Sequence, residues 1–413
     1  VLAGQLKGAK TMPLEVTNDQ VEAYLSTYHG RPVRVLRMQQ LGDKAVTAVD
    51  GDATEGGVAD AQPLKRFGYG KPIVVHYKSD HTEQRVVLRM ATANGFGHEL
   101  RADRAAELLL GYDTYNALPL HVGALDVGVF RAERTLSDAG AETPAMISLG
   151  AGDEFFLLTP YAEGEPYALD LQRLRDEGNL LPRDVERCQT LADYLVQIHS
   201  RKYVAGGGES GDSRPQKSVD RAALYRRRIR DTIGSGEGIL GLVDCYPRDY
   251  ALATPAWLEM VEKECIRWRW RLKGLHHRLC QVHGDFHPFN ILFAEDNSPA
   301  FLDRSRGEWG EPADDVSCLA INYLFFSLQR SGQLSPPFEQ LWELLWQRYL
   351  DQTGDRELLR VVAPFLVWRA LVLASPIWYE TPDRVRRALL HLIERVLHLP
   401  SFDPSKINEL CGV

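Results

Sequence analysis

The chain has 413 residues, 44% hydrophobic and 25% charged, with a formal charge of −8; that composition excludes wholesale disorder, and the length exceeds one core of ordinary size, so two lobes with a cleft between them are expected. The acidic balance argues against a nucleic-acid surface and would suit a cationic small-molecule partner, while no apolar run is long enough to span a membrane and residues 1–10 lack the charged-then-apolar layout of a secretory signal. Six cysteines without a CxxC pair exclude a zinc ribbon or a disulfide scaffold and fit reduced thiols in a cytoplasm.

Residues 18–29 open on an Asn/Asp cap and space Val21, Tyr24, Leu25 and Tyr28 at helical intervals, which predicts a short amphipathic helix. A strand follows over 33–41, then a Gly-, Asp-, Ala- and Thr-rich stretch over 42–60 that reads as a loop or insertion. From residue 64 the pattern is that of a small antiparallel meander, with segments 64–67, 68–71 and 72–78, a polar turn and a strand over 85–91. Good helix formers at helical spacing fill 98–110, and an apolar strand is expected over 155–161.

After Gly164 the character changes. Helices are predicted over 184–199, 219–233, 256–280, 315–330, 338–352, 356–375 and 382–398, with a flexible connection over 205–218. The order of elements predicts an α+β protein, with a strand-rich lobe over 1–160 and a mainly helical lobe over 161–413.

The segment richest in chemistry is 281–322. His283, Asp285 and Asn290 form H-x-D followed by four residues and Asn, the frame of a kinase-type catalytic loop, and Asp303 follows beyond a short hairpin. Phosphoryl transfer needs an oriented acceptor and neutralised phosphate charge more than covalent help. In that frame Asp285 takes or orients the proton of the attacking hydroxyl, and Asn290 and Asp303 offer oxygen ligands to Mg²⁺, a hard ion.

HGDFHPFN, FLD and GEPADDV closely resemble the signature of the aminoglycoside phosphotransferase and choline kinase family. The resemblance implies a bilobal protein-kinase-like fold, ATP as donor (GTP in some relatives), and a small-molecule acceptor. It gives Asp285 as catalytic base, Asn290 and Asp303 as metal ligands, Asp315 as an anchor near the loop and His283 as its structural support. LADYLVQIH (191–199) resembles the helix ahead of the catalytic loop. LLTPYAEGEPY (157–167) resembles the hinge, where the backbone around Thr159 to Tyr161 would meet the nucleotide base.

The first lobe departs from the kinase pattern. Arg89 stands where a strand lysine usually grips the phosphates, with Glu107 on the next helix as its expected partner. FGYGKP offers Gly68 and Gly70, beside Lys71, as a degenerate phosphate loop; an ordinary hairpin turn is the alternative. That departure motivates a second reading, a nucleotide-binding regulator without transfer. The third is a metal hydrolase using His283, Asp285 and His287. Trp309 is the tryptophan expected beside the chemistry, and the run Arg226, Arg227, Arg228 and Arg230 reads as a solvated helix face, with contact to an anionic substrate as the lesser alternative. Oligomeric state is not legible.

Overall fold

The computed structural model describes residues 16–40, 72–91, 98, 101–130, 154–204 and 220–412. Gly68, Gly70, the strands expected over 64–71 and the connection over 205–218 lie outside the described residues. Helix α1 (Asn18–His29) begins one residue earlier than its expected Asn/Asp cap: Thr17 accepts from the Gln20 amide while the Gln20 side chain returns to the Thr17 amide. Its end is set by Gly30, whose left-handed backbone (φ 63°) lets its amide reach back to the last turn.

Strands β1 (Val33–Gln40), β2 (Ile73–Ser79) and β3 (Thr82–Arg89) run antiparallel, and β2 turns into β3 through Asp80 and His81. Helix α2 (Arg101–Thr114) comes next, then β4 (Asp126–Phe130), which the sequence reading missed, and β5 (Glu154–Pro160). All five strands form one antiparallel sheet in the order β1-β2-β3-β5-β4. Alternation along β5 separates its two faces: Phe156 and Leu158 join Val21, Leu25, Val75 and Leu88 under α1, whereas Phe155 and Leu157 pack with Leu108 of α2.

Beyond β5 the chain is mainly helical. Strand β6 (Glu165–Pro166) leads into α3 (Tyr167–Glu177) and α4 (Pro182–Ser200), then α5 (Arg221–Gly234), α6 (Ile239–Asp244) and α7 (Pro255–Leu272). Three short strands, β7 (Cys280–Gln281), β8 (Ile291–Phe293) and β9 (Pro299–Phe301), precede β10 (Trp309–Gly310), which pairs with β7. Helices α8 (Pro312–Ser331), α9 (Phe338–Thr353), α10 (Leu358–Val361), α11 (Ala363–Ala374), α12 (Asp383–Val396) and α13 (Ile407–Cys411) complete the lobe around a single large apolar core. The helix expected over 356–375 is thus two, and Pro364, in the first turn of α11, stands at a position where a missing amide hydrogen is tolerated.

The architecture is the α+β, bilobal, protein-kinase-like one expected from the sequence. Among the described residues no helix is long and apolar enough to cross a membrane. The lobes meet along the segment after α2, where Val122 donates to the Phe301 carbonyl and Phe301 donates to that of Leu120.

Candidate active site

Strand β7 delivers the chain into the His283-Gly284-Asp285 turn. Gly284 is required there: its φ is +87°, and a Cβ on it would lie 2.3 Å from the Ser305 carbonyl oxygen. The turn is held from below by Asp315 in the first turn of α8. Its fully buried carboxylate accepts from the amides of His283 and Gly284, both at 2.7 Å, and from His199 Nε2 at 3.2 Å. Burial would raise this carboxyl, but His199 and the surrounding donors outweigh it, so its pKa is lowered.

His283 is completely buried. Its Nδ1 accepts from the Asp285 amide at 3.2 Å, which assigns the proton to Nε2. Burial lowers its pKa to about 4. His121 nearby is lowered for the same reason; its Nε2 accepts from the Arg304 amide, and its Nδ1 donates to the Val122 carbonyl. The unfolded chain therefore takes up a proton on His283 near pH 6.5, while the folded one resists until about 4, so stability is complete above that window and lost as pH falls through it. The loss is on the order of 3 kcal/mol for His283 alone. Denaturant midpoints measured from pH 7 to pH 4 are expected to fall, and less steeply in His283→Asn; equal slopes would exclude a buried neutral imidazole.

Asp285 is surrounded by donors. Arg369 Nη1 donates to Oδ1 at 2.6 Å, Asn290 Nδ2 to Oδ2 at 3.2 Å, and His287 Nε2 lies 3.4 Å from Oδ2. Burial pushes the carboxyl up, yet His287 and Arg369 more than reverse this and hold it well below the ordinary carboxylate range. It is ionised at neutral pH. Oδ2, with the longer contacts, keeps room for another donor.

The β8–β9 hairpin joins the second half of the sequence pattern to the first. Ile291 pairs with Phe301, and the Leu302 amide donates to the Asn290 carbonyl at 2.9 Å, so Asn290 and Asp303 leave the hairpin on its same end. Asp303 has a left-handed backbone (φ 52°). Its carboxylate is ion-paired with Arg89, which reaches across from β3. Asn290 spends its amide nitrogen on Asp285, which leaves its carbonyl oxygen uncommitted; that oxygen and the Asp303 carboxylate are donors of the kind a hard divalent ion takes.

Glu107 does not pair with Arg89 as expected. It meets His98 at 2.7 Å, and Glu237 of the helical lobe meets the same imidazole at 2.8 Å. Burial lowers the His98 pKa, but the two carboxylates more than compensate and raise it to about 10. The trio, whose ligand atoms lie within 4.8 Å of one another, is thus a charged clasp between lobes. Tyr161 follows β5, with its amide donating to the Arg85 carbonyl and its ring under the Arg85 guanidinium at 4.4 Å.

Three site residues escaped the sequence reading. Arg369 on α11 binds Asp285, Asp314 Oδ1 at 2.7 Å and the Gly284 carbonyl at 3.1 Å. Arg306 donates to the same carbonyl, and both guanidinium groups stack on Trp368, at 4.3 and 3.8 Å from its ring centre. Trp309, the tryptophan expected here, packs against Tyr203 instead. His287 meets Asp285 through Nε2, but His283 turns its Nδ1 to the Asp285 amide, so among the described residues the three do not form the metal cluster that a hydrolase requires.

The model of a family described as the phosphotransferase enzyme family matches residues 128–351, over half of the chain. Among solved structures, a Plasmodium vivax ethanolamine kinase is 12% identical, with 86% of this chain and 82% of that one covered and a TM-score of 0.41. The aminoglycoside phosphotransferase APH(4)-Ia is 15% identical over 96% and 97%, with a TM-score of 0.40. The Streptomyces rimosus aminoglycoside phosphotransferase APH(3'')-Id, in complex with ADP and streptomycin, is 15% identical over 72% and 90%, with a TM-score of 0.38. No curated protein matches the chain in sequence.

Proposed function

The chain belongs to the phosphotransferase enzyme family, and from that premise we infer that it transfers the γ-phosphoryl group of ATP, or of GTP, to a hydroxyl of a small molecule in the presence of Mg²⁺. The observation that carries this reading is the joining of Asp285, Asn290 and Asp303 by one loop and one hairpin, with Arg89 arriving at Asp303 from the sheet. None of the six cysteines is joined in a disulfide, which is consistent with a reducing cytoplasm. The division into a nucleotide lobe and an acceptor lobe falls near residue 160.

In this reading Asn290 and Asp303 would hold Mg²⁺, which when bound supplies charge neutralisation on the phosphates. Arg89 would exchange Asp303 for the nucleotide's phosphates, to which its fork is suited. The backbone around Tyr161 would meet the base, and Gly68 and Gly70 would cover the phosphates. Asp285 would receive the acceptor's hydroxyl proton at Oδ2 as the acceptor oxygen bonds to the γ-phosphorus and the bond from that phosphorus to the β-phosphate bridging oxygen breaks. A carboxylate of such low basicity acts chiefly by orienting the hydroxyl and takes the proton late, which suits a loose transition state. Asp315 and His283 would fix the turn that aims it. Glu107 would contribute through the His98 clasp, not by gripping Arg89.

The test is transfer of label from γ-labelled ATP and GTP to a broad acceptor panel, with and without chelator. Label should move to an acceptor only with Mg²⁺ present. Nucleotide binding with no transfer to any acceptor would instead favour the regulator, and phosphoester hydrolysis without nucleotide would favour the hydrolase.

A further inference from the structure

Five arginines are buried among the described residues: Arg104, Arg228, Arg278, Arg304 and Arg369. Four have bonded guanidinium groups. Arg104 pairs with Glu154, Arg278 with Glu311 and Asp355, and Arg369 with Asp285 and Asp314, while Arg304 donates to the carbonyls of Thr114, Val282 and Glu308. Arg228 is only 8% exposed, yet among the described residues no hydrogen bond or ion pair holds its guanidinium, whose nitrogens are not wholly cut off from solvent. A buried, permanently charged group without a counter-charge opposes folding, and proteins keep one where something else supplies the charge.

Its place in the fold says where that charge comes from. Arg228 is one helical turn from Tyr225 on the inner face of α5, and Tyr225 donates to Glu311, the cap of α8 whose first turn holds Asp314 and Asp315. Helix α5 also packs against α11, which carries Arg369, and against β10. After burial itself, the charges acting on Arg228 are Arg306 of its own sign, then Asp314 and Asp231 of the opposite one, and last Arg304. Arg306 adds a second fork in partial use: Nη2 donates to the Gly284 carbonyl and Nη1 lies 3.8 Å from Glu237, but its buried Nε has no partner. Arg89, by contrast, faces Tyr115 and Asp303, on the side assigned above to the nucleotide.

We propose that the acceptor carries an acid group, a carboxylate or a phosphate ester, which Arg228 binds together with Arg306 while the acceptor's hydroxyl faces Asp285. The inference rests on the phosphotransferase reading and deepens it. It replaces the cationic partner that the overall charge of the chain favoured, because Arg306, whose charge acts on Asp285, and Arg228, whose charge meets Arg306 and Asp314, both lack a full complement of acceptors. The other anion that could meet Arg228 is the γ-phosphate of the donor, which has the same chemistry and is separated by experiment.

Calorimetry on the full chain, saturated with Mg²⁺ and a non-transferable ATP analogue, uses glycerate, glycerol phosphate and inorganic phosphate as probes, with choline and ethanolamine as cationic counterparts. The anions are expected to bind and the cations not to. Arg228→Met should weaken anion binding about 10- to 100-fold, leave the analogue's affinity within about threefold, and raise the melting temperature of the ligand-free protein; Arg228→Lys should restore part of the anion affinity. Three results would overturn the proposal: preference for choline or ethanolamine, anion binding unchanged in Arg228→Met, or loss of analogue affinity in that variant, which would give Arg228 to the donor. Failure of Arg228→Met to fold would equally overturn it, by making the arginine a structural partner. A wild-type chain that binds no nucleotide analogue at all refutes the phosphotransferase reading itself, a result read before any acid is added.

Discussion

Asp285→Ala is expected to lower kcat for phosphoryl transfer by about 10²- to 10⁴-fold while leaving nucleotide affinity within about threefold. The substitution removes the carboxylate of the turn, with its loosely held Oδ2, and with it both the orientation of the hydroxyl and the destination of its proton. The fold should survive. Arg369 retains Asp314 and the Gly284 carbonyl after Asp285 is gone, so no buried cation is stranded. Asp285→Asn sharpens the test, because it keeps an acceptor oxygen for Arg369 but cannot take a proton, and the same loss is expected. Single-turnover kinetics with an identified acceptor, paired with nucleotide titration, read both quantities; transfer at the wild-type rate in either variant would remove Asp285 from the chemistry.

Asp315→Ala should act on the scaffold and the rate together. Its carboxylate is the acceptor for two consecutive backbone amides and for His199, all in a buried setting. Deleting it leaves three donors without partners, at a cost of roughly 3–5 kcal/mol in stability. The amides belong to His283 and Gly284, so the peptide that aims Asp285 loses its support, and kcat is expected to fall even in protein that remains folded. Asp315→Asn is predicted to help little, since its amide group sets a donor against donors. Denaturant midpoint and kcat are the measurements; a variant as stable and as active as the parent would mean that the loop is held by other contacts.

Most of the architecture was legible because it rests on local patterns. The 3-to-4 spacing in 18–29 and 338–352, and the alternation in 72–78, lie close to the observed elements. Capping was less legible: Thr17, not Asn18, closes α1, since the reciprocal bond with Gln20 decides the matter. Strand β4 was missed because Asp126–Phe130 is short and only half-buried, and it is recruited by its partner β5. In the site, the loop and hairpin residues could be found because their spacing is short-range. Arg369 could not, because it lies 84 residues beyond Asp285 on an apolar helix, and nothing in that helix marks its one cation as facing a carboxylate. The exchange of partners between Arg89 and Glu107 was hidden for a related reason: sequence spacing places both near the cleft but does not say that His98 stands between Glu107 and Glu237. The arginine run of α5 shows the limit from the other side, since one of its members turns inward while its neighbours remain on the surface.

The position of Arg369 also bears on how much of the chain makes a working unit. The stretch recognisable by family resemblance stops at residue 351, and α11 starts at Ala363. A fragment trimmed to the recognisable stretch would keep every residue of the H-x-D and hairpin signatures yet strip Asp285 and Asp314 of their shared counter-ion. In the proposed reading, α11 therefore belongs to the working unit and is not a dispensable extension of it.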